Sequence, residues 1–256
     1  MKIANYLIKP FFSILVISSF SLVINAQEIS AVIEDIIVTA EKRTESLQDL
    51  SQAVTVLTSD DLDKKQISTF VDISAIAPGV NVAKNEGFKT VITIRGVGYE
   101  TNQNAIATPS VSYHLDGIYI ASPYSLQTEF MDLERIEVLR GPQGTLFGQN
   151  STGGAINVIT SAPSLEESSS YGDITIGDYS LIKTRASFNR PLSETLAVRA
   201  SFITHKRDGF TDNLSTGQDL DDADSISARV RFLYQPSATF RANFTAQIFD
   251  ENRNGS

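Results

Sequence analysis

Apolar and polar residues alternate with a period of two through the C-terminal half of the chain. The pattern is regular over 182–189, 196–202, 226–234 and 238–248, where hydrophobic side chains take one parity and Lys, Arg, Ser, Thr and Asn take the other. This period gives a β-strand one apolar and one polar face. Residues 171–250 therefore predict about five antiparallel strands.

A membrane barrel and a soluble β-sandwich both show this alternation. Here a long polar segment at 208–224 alternates with short polar links at 191–194 and 236–237, and aromatic residues lie near the strand ends. Short turns on one rim, a long loop on the other and aromatic girdles are typical of an outer-membrane barrel. We favour the barrel, with the soluble sandwich as the alternative.

The segment from residue 27 to 163 has a different, mixed pattern that predicts a small α+β domain. Thr58 and Ser59 can cap a helix with acidic residues in its first turn and lysines at its end, and Ser68 can cap a second helix that ends before Pro78. Short apolar runs separated by glycines predict strands at 53–57, 81–83, 90–94, 110–115, 118–121, 135–139 and 155–160.

The first 26 residues have the features of a cleaved secretory signal peptide. Lys2 and Lys9 precede an apolar core at 11–24, and Ala26 is a small residue at the expected cleavage site. A membrane anchor is the alternative, but the apolar run is shorter than a spanning helix needs.

Composition narrows the function. The 256 residues carry a net charge of −9, no cysteine and two histidines. The acidic balance argues against nucleic acid as a partner, and the residue content argues against thiolate and multi-histidine metal sites. No nucleophile–base pair can be assembled from motif spacing. We therefore expect no enzyme, catalytic residue, metal site or cofactor.

Four motifs carry a resemblance to a known family: LRGPQGTLFGQNSTGGAINVIT at 139–160, VITIRGVG at 91–98, YHLDGIYI at 113–120 and EDIIVTAEKR at 34–43. Together they resemble the N-terminal part of TonB-dependent outer-membrane receptors of the iron-complex or siderophore type. The resemblance implies an α+β plug domain followed by the first antiparallel strands of a transmembrane β-barrel of about 22 strands. The sequence is interpreted as the N-terminal part of a longer protein, because its alternating strands are too few to close such a barrel.

The implied domains are the signal peptide (1–26), a flexible segment with the TonB box (27–43), the plug (44–163), a linker (164–170) and the first barrel strands (171–256).

The TonB box implied by the resemblance is a β-branched run between polar flanks. A segment of this kind can add as a strand to the sheet edge of another protein. A disordered tail and a first plug strand are the alternatives. The expected TonB-binding residues are Asp35, Ile36, Ile37, Val38, Thr39 and Ala40.

Arg95 and Arg140 each end an apolar run immediately before a glycine. A buried arginine needs a carboxylate partner. The resemblance implies that both pair with glutamates of the barrel wall that lie outside this sequence. The alternatives are solvated strand ends or local pairs with Glu134 or Glu137.

Two plug stretches, 98–104 and 121–127, are rich in Tyr, Asn and Gln, which suit polar ligands. The resemblance implies that such loops face the outside and contact the ligand, and ordinary polar loops are the alternative. The candidate ligand-binding residues are Tyr99, Asn102, Gln103, Asn104, Tyr124 and Gln127.

The function implied by the resemblance is active import across the Gram-negative outer membrane. The expected partners are TonB with its inner-membrane energising complex, outer-membrane lipid, and a siderophore or other small-molecule ligand. Iron is expected only as part of a chelated ligand. Cobalamin and glycans are alternative cargoes, and a soluble periplasmic binding or interaction module is an alternative of another class.

Overall fold

The computed structural model describes residues 37–38, 45–46, 53–85, 89–98, 109–122, 126, 129–252 and 254. They belong to one structural unit that spans Asp35–Ser256. The predicted signal peptide lies outside the described residues. The helices are α1 (Ser59–Lys64), α2 (Phe70–Ile73) and α3 (Gly144–Phe147). The strands are β1 (Ile37–Val38), β2 (Glu45–Ser46), β3 (Val54–Thr58), β4 (Val80–Asn85), β5 (Lys89–Ile94), β6 (Val97–Gly98), β7 (Val111–Leu115), β8 (Ile118–Tyr119), β9 (Leu133–Arg140), β10 (Gly154–Thr160), β11 (Ser169–Gly177), β12 (Leu181–Ser193), β13 (Leu196–Arg207), β14 (Thr211–Asp212), β15 (Asp219–Leu220), β16 (Ala223–Ser237) and β17 (Phe240–Glu251).

The described residues from 53 to 163, hereafter the plug region, form the predicted mixed α/β fold. Its main sheet has the order β3-β9-β10-β7-β8, in which β10 and β7 are parallel and the other neighbours are antiparallel. A second, three-stranded sheet has the order β4-β5-β6. One hydrophobic core joins both sheets to α1 and α2, with Phe70, Ile73, Ile94, Ile136, Val138 and Ile156 among its most buried members.

Helix α1 begins where the sequence predicts. Thr58 is its N-cap: its hydroxyl oxygen accepts from the Asp61 backbone N–H at 3.2 Å, and its own N–H donates to the Asp61 carboxylate at 3.2 Å. This reciprocal capping box satisfies backbone groups that the first turn leaves without partners. Helix α2 is shorter than the predicted second helix and begins one residue later, because Thr69 rather than Ser68 occupies the N-cap position.

The C-terminal half forms one antiparallel sheet with the order β11-β12-β13-β16-β17, hereafter the wall sheet. Its strands have 9 to 15 residues, and each pairs with the next wall strand along the chain. The short hairpin β14-β15 lies within the predicted long loop. The Asp208 N–H donates to the Tyr179 carbonyl at 2.8 Å, so this loop and the β11-β12 turn share one rim.

The two faces of the wall sheet have opposite character. Paired residues share a face, and one face carries large exposed hydrophobic side chains, including Ile176 at 78%, Phe188 at 60% and Ile248 at 69% exposure. The other face carries polar side chains, of which Ser187, Ser201 and Arg229 are buried. An apolar outward face is expected of a sheet in contact with lipid. Among the described residues, no helix has the length and apolar content needed to cross a membrane.

Candidate functional site between the plug region and the wall sheet

The polar face of the wall sheet is predominantly basic and lies against the plug region. Strand register places Lys183 opposite His205 and Arg199 opposite Arg231. Arg229 is two positions from Arg231 on β16 and therefore lies on the same face. The plug region meets these side chains mainly with carboxylates and backbone carbonyls. This complementary interface is the candidate functional site.

Asp132 forms the most complete contact across this interface. Arg199 donates to its two carboxylate oxygens, from Nε at 2.7 Å and from a terminal nitrogen at 2.5 Å, and the Ser201 hydroxyl donates to the same group. Only 10% of the Asp132 side chain and 16% of the Arg199 side chain are exposed. A bidentate guanidinium–carboxylate pair combines strength with a fixed geometry, so it sets the position of the chain just before β9.

Glu129 lies three residues earlier and contacts the wall closer to the long-loop rim. Its carboxylate is 2.5 Å from the Lys183 ammonium and also contacts Nδ1 of His205. About a tenth of the Glu129 and Lys183 side chains is exposed. Together, Glu129 and Asp132 hold residues 129–132, hereafter the acidic strap, along β12 and β13.

Strand β16 holds the plug region through backbone groups. Arg229 donates to the Met131 carbonyl at 3.2 Å. Arg231 donates to the carbonyls of Thr160 and Ser161 at 3.1 and 3.2 Å. These contacts place two wall arginines against the acidic strap and the end of β10.

Two further ion pairs join the plug region to the wall sheet. Asp63 of α1 is 3.0 Å from Arg185, and Asp116 of the β7-β8 turn is 3.7 Å from Arg231. Both pairs have the same polarity as those of the acidic strap, with the carboxylate on the plug region and the cation on the wall.

The electrostatic environment keeps the strap carboxylates ionised. Burial raises the pKa of Glu129, but the hydrogen bond from His205 and the charge of Lys183 outweigh it, and the net pKa lies below its ordinary value. Burial likewise raises the pKa of Asp132, and hydrogen bonds from Arg199 and Ser201 reverse the direction, so its pKa is also lowered. Both groups are therefore anionic at neutral pH.

A crevice of about 340 Å³ separates α1 from the wall next to the acidic strap. Leu62 and Phe130 supply apolar lining, and Asp63, Arg185 and Arg199 supply charge. The plug region and the wall sheet thus meet through discrete polar contacts with space between them.

The two predicted plug arginines lie in the plug region away from these contacts. Arg140 donates to the Pro78 carbonyl at 3.0 Å and to the Thr55 hydroxyl at 2.7 Å. Burial and the nearby charge of Arg95 lower its pKa. Arg95 is exposed and has φ of 52°. Their pairing with barrel glutamates stays a prediction.

Glu134 and Glu137, the suggested local partners of those arginines, are both bonded by Arg135. Its Nε donates to Glu137 at 2.8 Å, and a terminal nitrogen contacts Glu134. Asn157 also donates to Glu137, at 3.0 Å, inside the plug sheet.

The other predicted site residues are placed only in part. Ile37 and Val38, at the centre of the predicted TonB box, form β1, which pairs antiparallel with β2. Asp35, Ile36, Thr39 and Ala40 lie outside the described residues. So do the candidate ligand-binding residues Tyr99, Asn102, Gln103, Asn104, Tyr124 and Gln127.

Sequence reasoning did not find the acidic strap. Glu129 and Asp132 belong to the stretch TEFMDLER, which has no motif spacing and precedes the apolar run of β9. One signal in the sequence could have indicated it. The polar face of the strands between residues 183 and 231 has more cations than carboxylates, and these cations require negative charges from another part of the chain.

A plug region whose carboxylates engage the polar face of an outwardly apolar sheet is the architecture of a plugged membrane barrel. Comparison with known proteins agrees. Residues 46–155 match the TonB-dependent Receptor Plug Domain family. The resemblance seen in the sequence is thereby confirmed: these residues form a TonB-dependent receptor plug domain, and barrel strands follow it.

The similar proteins include the pesticin receptor of Yersinia pestis, which is 31% identical over 76% of this chain and 29% of its own length. The ferric enterobactin receptor PirA of Pseudomonas aeruginosa is 28% identical over 71% of this chain and 27% of its own length. The crystal structure of the ferric yersiniabactin uptake receptor FyuA from Yersinia pestis shows the same fold, with a TM-score of 0.67 at 24% identity, over 77% of this chain and 31% of that chain.

The chain thus spans less than a third of the length of each of these three relatives. The predicted fold class is confirmed as a plug domain with antiparallel barrel strands. The match to the TonB-dependent receptor family confirms the predicted location in the outer membrane.

Proposed function

We propose that this protein is a TonB-dependent receptor that imports a ferric siderophore across the outer membrane. The observation that carries the proposal is the plug–wall interface, in which a folded plug domain is held to the barrel strands by ion pairs and hydrogen bonds. Polar contacts of this kind can break and form again without unfolding either sheet. A plug held in this way can close the barrel at rest and move when it is pulled.

The nature of the cargo is supported by the relatives. PirA is a receptor for ferric enterobactin, and the pesticin receptor aligns over three quarters of this chain. We infer that the cargo of this protein is likewise an iron chelate. It would enter whole, with the loops around 98–104 and 121–127 contacting its organic shell through Tyr99, Asn102, Gln103, Asn104, Tyr124 and Gln127.

Coupling to TonB is supported by the conformation of Ile37 and Val38. Their backbone is already extended in β1, which is the conformation that adds to a partner sheet through main-chain hydrogen bonds. The pull of TonB on this segment would reach the plug through the chain between β1 and β3.

The test is energised uptake of a radiolabelled ferric tris-catecholate by cells that express the receptor, with and without TonB. We expect accumulation only in cells that contain TonB. Ile37→Pro removes a backbone donor from the predicted box and should abolish uptake while binding at the cell surface is retained. Ile37→Val is the matched control, since it keeps the donor and the β-branched side chain. Uptake that is equal without TonB would refute the proposal.

A further inference from the structure

The basic side chains of the wall sheet outnumber the acidic ones on the same face. Within the described strands, Asp173 and Glu251 are the carboxylates of that face. The arginines and lysines of that face within the described strands are Lys183, Arg185, Arg199, Arg207, Arg229, Arg231 and Arg241. At rest the plug region supplies the missing negative charge.

These plug charges are not part of the wall. Asp132 holds Arg199, Glu129 holds Lys183, and Asp63 holds Arg185. Any displacement of the plug carries these carboxylates away and leaves Lys183 and Arg199 without a carboxylate partner, whereas Arg185 keeps Asp173 of β11 at 2.7 Å. Removing one partner from a buried ion pair is strongly unfavourable, because the remaining charge is neither paired nor fully hydrated.

An anionic solute can lower this cost, because its oxygens can take the places that the plug carboxylates vacate. Guanidinium groups bind carboxylate and similar planar oxygen pairs in a bidentate manner, as Arg199 does with Asp132. A neutral or cationic solute offers no such replacement. The wall therefore favours the passage of negatively charged cargo.

We propose that the wall cations which hold the plug at rest are also the track along which an anionic chelate moves through the barrel. The cargo exchanges with the plug carboxylates on the same cations, beginning near Lys183 at the long-loop rim and continuing to Arg199. This inference rests on the proposed transport function and specifies its substrate class: iron chelates with net negative charge.

Exchanging the charges of Glu129 and Lys183 distinguishes two roles of Lys183: part of the track for the cargo, or only an anchor for the plug. Glu129→Lys combined with Lys183→Glu keeps an ion pair between the acidic strap and the wall, but it places a carboxylate on the wall. If Lys183 serves only to hold the plug, the swapped receptor works normally. If Lys183 is part of the track, the swapped receptor holds its plug normally and repels an anionic cargo.

The measurement is the maximal rate of TonB-dependent uptake of a trianionic ferric tris-catecholate. We expect the swap to lower this rate about tenfold, which corresponds to a modest rise in the barrier, with surface binding affinity unchanged. Hydrogen exchange of the amides of residues 129–133 should stay as in the wild type, which shows that the plug is still held. The matched control is the swap Asp60→Lys with Lys64→Asp, an exposed pair within α1, which should leave uptake unchanged.

Wild-type uptake by the Glu129–Lys183 swap overturns the inference. If the swapped plug loses its protection from exchange, the neutral pair Glu129→Gln with Lys183→Gln replaces it. This variant should still transport the tris-catecholate several-fold more slowly than the wild type, and an unchanged rate overturns the inference as well. A wild-type receptor that shows no TonB-dependent uptake refutes the proposed function itself, which is a separate result.

Discussion

Replacing Asp132 by Asn tests how much the acidic strap contributes to holding the plug. The two side chains have the same shape, and Asn tolerates the positive φ of 51° at this position. The substitution therefore removes the charge with little change in the backbone. It leaves Arg199, whose side chain is 16% exposed, with a neutral partner.

The expected cost follows from the contacts. A hydrogen bond to a charged group contributes about 1.5–3 kcal/mol, and breaking a buried ion pair costs about 3–5 kcal/mol. The amide oxygen of Asn keeps one acceptor for Arg199, so the lower part of these ranges applies. We expect the local opening free energy of the strap to fall by about 2–3 kcal/mol.

Native-state hydrogen exchange of the receptor in detergent micelles measures this quantity directly. A loss of about 2–3 kcal/mol corresponds to exchange roughly 30 to 150 times faster at the amides of residues 129–133. Asp60→Asn is the control, because its ion pair with Lys64 is exposed and contributes little. Equal exchange in the Asp132→Asn variant and the wild type would show that the bidentate pair does not hold the strap.

Three further predictions concern the plug domain. Because the pKa values of Glu129 and Asp132 are lowered on folding, their stabilisation is complete at neutral pH and is lost as the pH falls below about 4, so the opening free energy of the strap, taken from exchange rates divided by the intrinsic rate at each pH, should decrease there. Thr58→Ala removes the capping box and should lower the free energy of unfolding of the plug by about 1 kcal/mol, measured by urea denaturation. Gly154→Ala should prevent correct packing of β9 on β10, seen as loss of protection in both strands, because the added Cβ would lie 2.4 Å from the Leu139 carbonyl oxygen at a φ of 150°.

Each of these predictions has a result that contradicts it. An opening free energy that stays constant down to about pH 3 would show that the strap carboxylates do not lose their stabilising contribution in this range. Ser59→Ala is the control for the cap, and an effect equal to that of Thr58→Ala would assign the stabilisation elsewhere. Gly144→Ala is the control for packing, because a Cβ there meets no atom within 4 Å, and equal protection in both glycine variants would refute the steric argument.

Local rules were sufficient for much of the fold. The capping residues of α1 were identifiable because a cap depends on residues within one turn, and Thr58 and Asp61 are three positions apart. The wall strands were identifiable because alternation reports the two environments of a strand directly. Helix α2 shows the limit of the same rules. Ser68 and Thr69 are chemically equivalent N-cap candidates, and the backbone N–H groups of both donate to the Asp72 carboxylate, so neighbours along the chain did not distinguish between them.

The candidate site was only partly predictable. The polar parity of the wall strands was visible, but its partner was not, because Asp132 and Arg199 are 67 positions apart and no motif connects them. The sequence drew attention to the plug arginines. The predicted contacts have arginines on the plug and glutamates on the wall, whereas the observed ion pairs have carboxylates on the plug and cations on the wall. Arg140 bonds the Pro78 carbonyl and the Thr55 hydroxyl of its own domain, and its pairing with barrel glutamates outside this sequence stays a prediction.

The amino-acid sequence by itself determined which face of each wall strand is apolar, where α1 begins and which family the plug motifs resemble. These properties depend on neighbours along the chain, and such neighbours are the same in every compact arrangement. Only the tertiary structure decided which charges meet across the interface. That outcome depends on strand register and on how the plug domain docks against the wall, and both are set by packing between segments far apart in sequence.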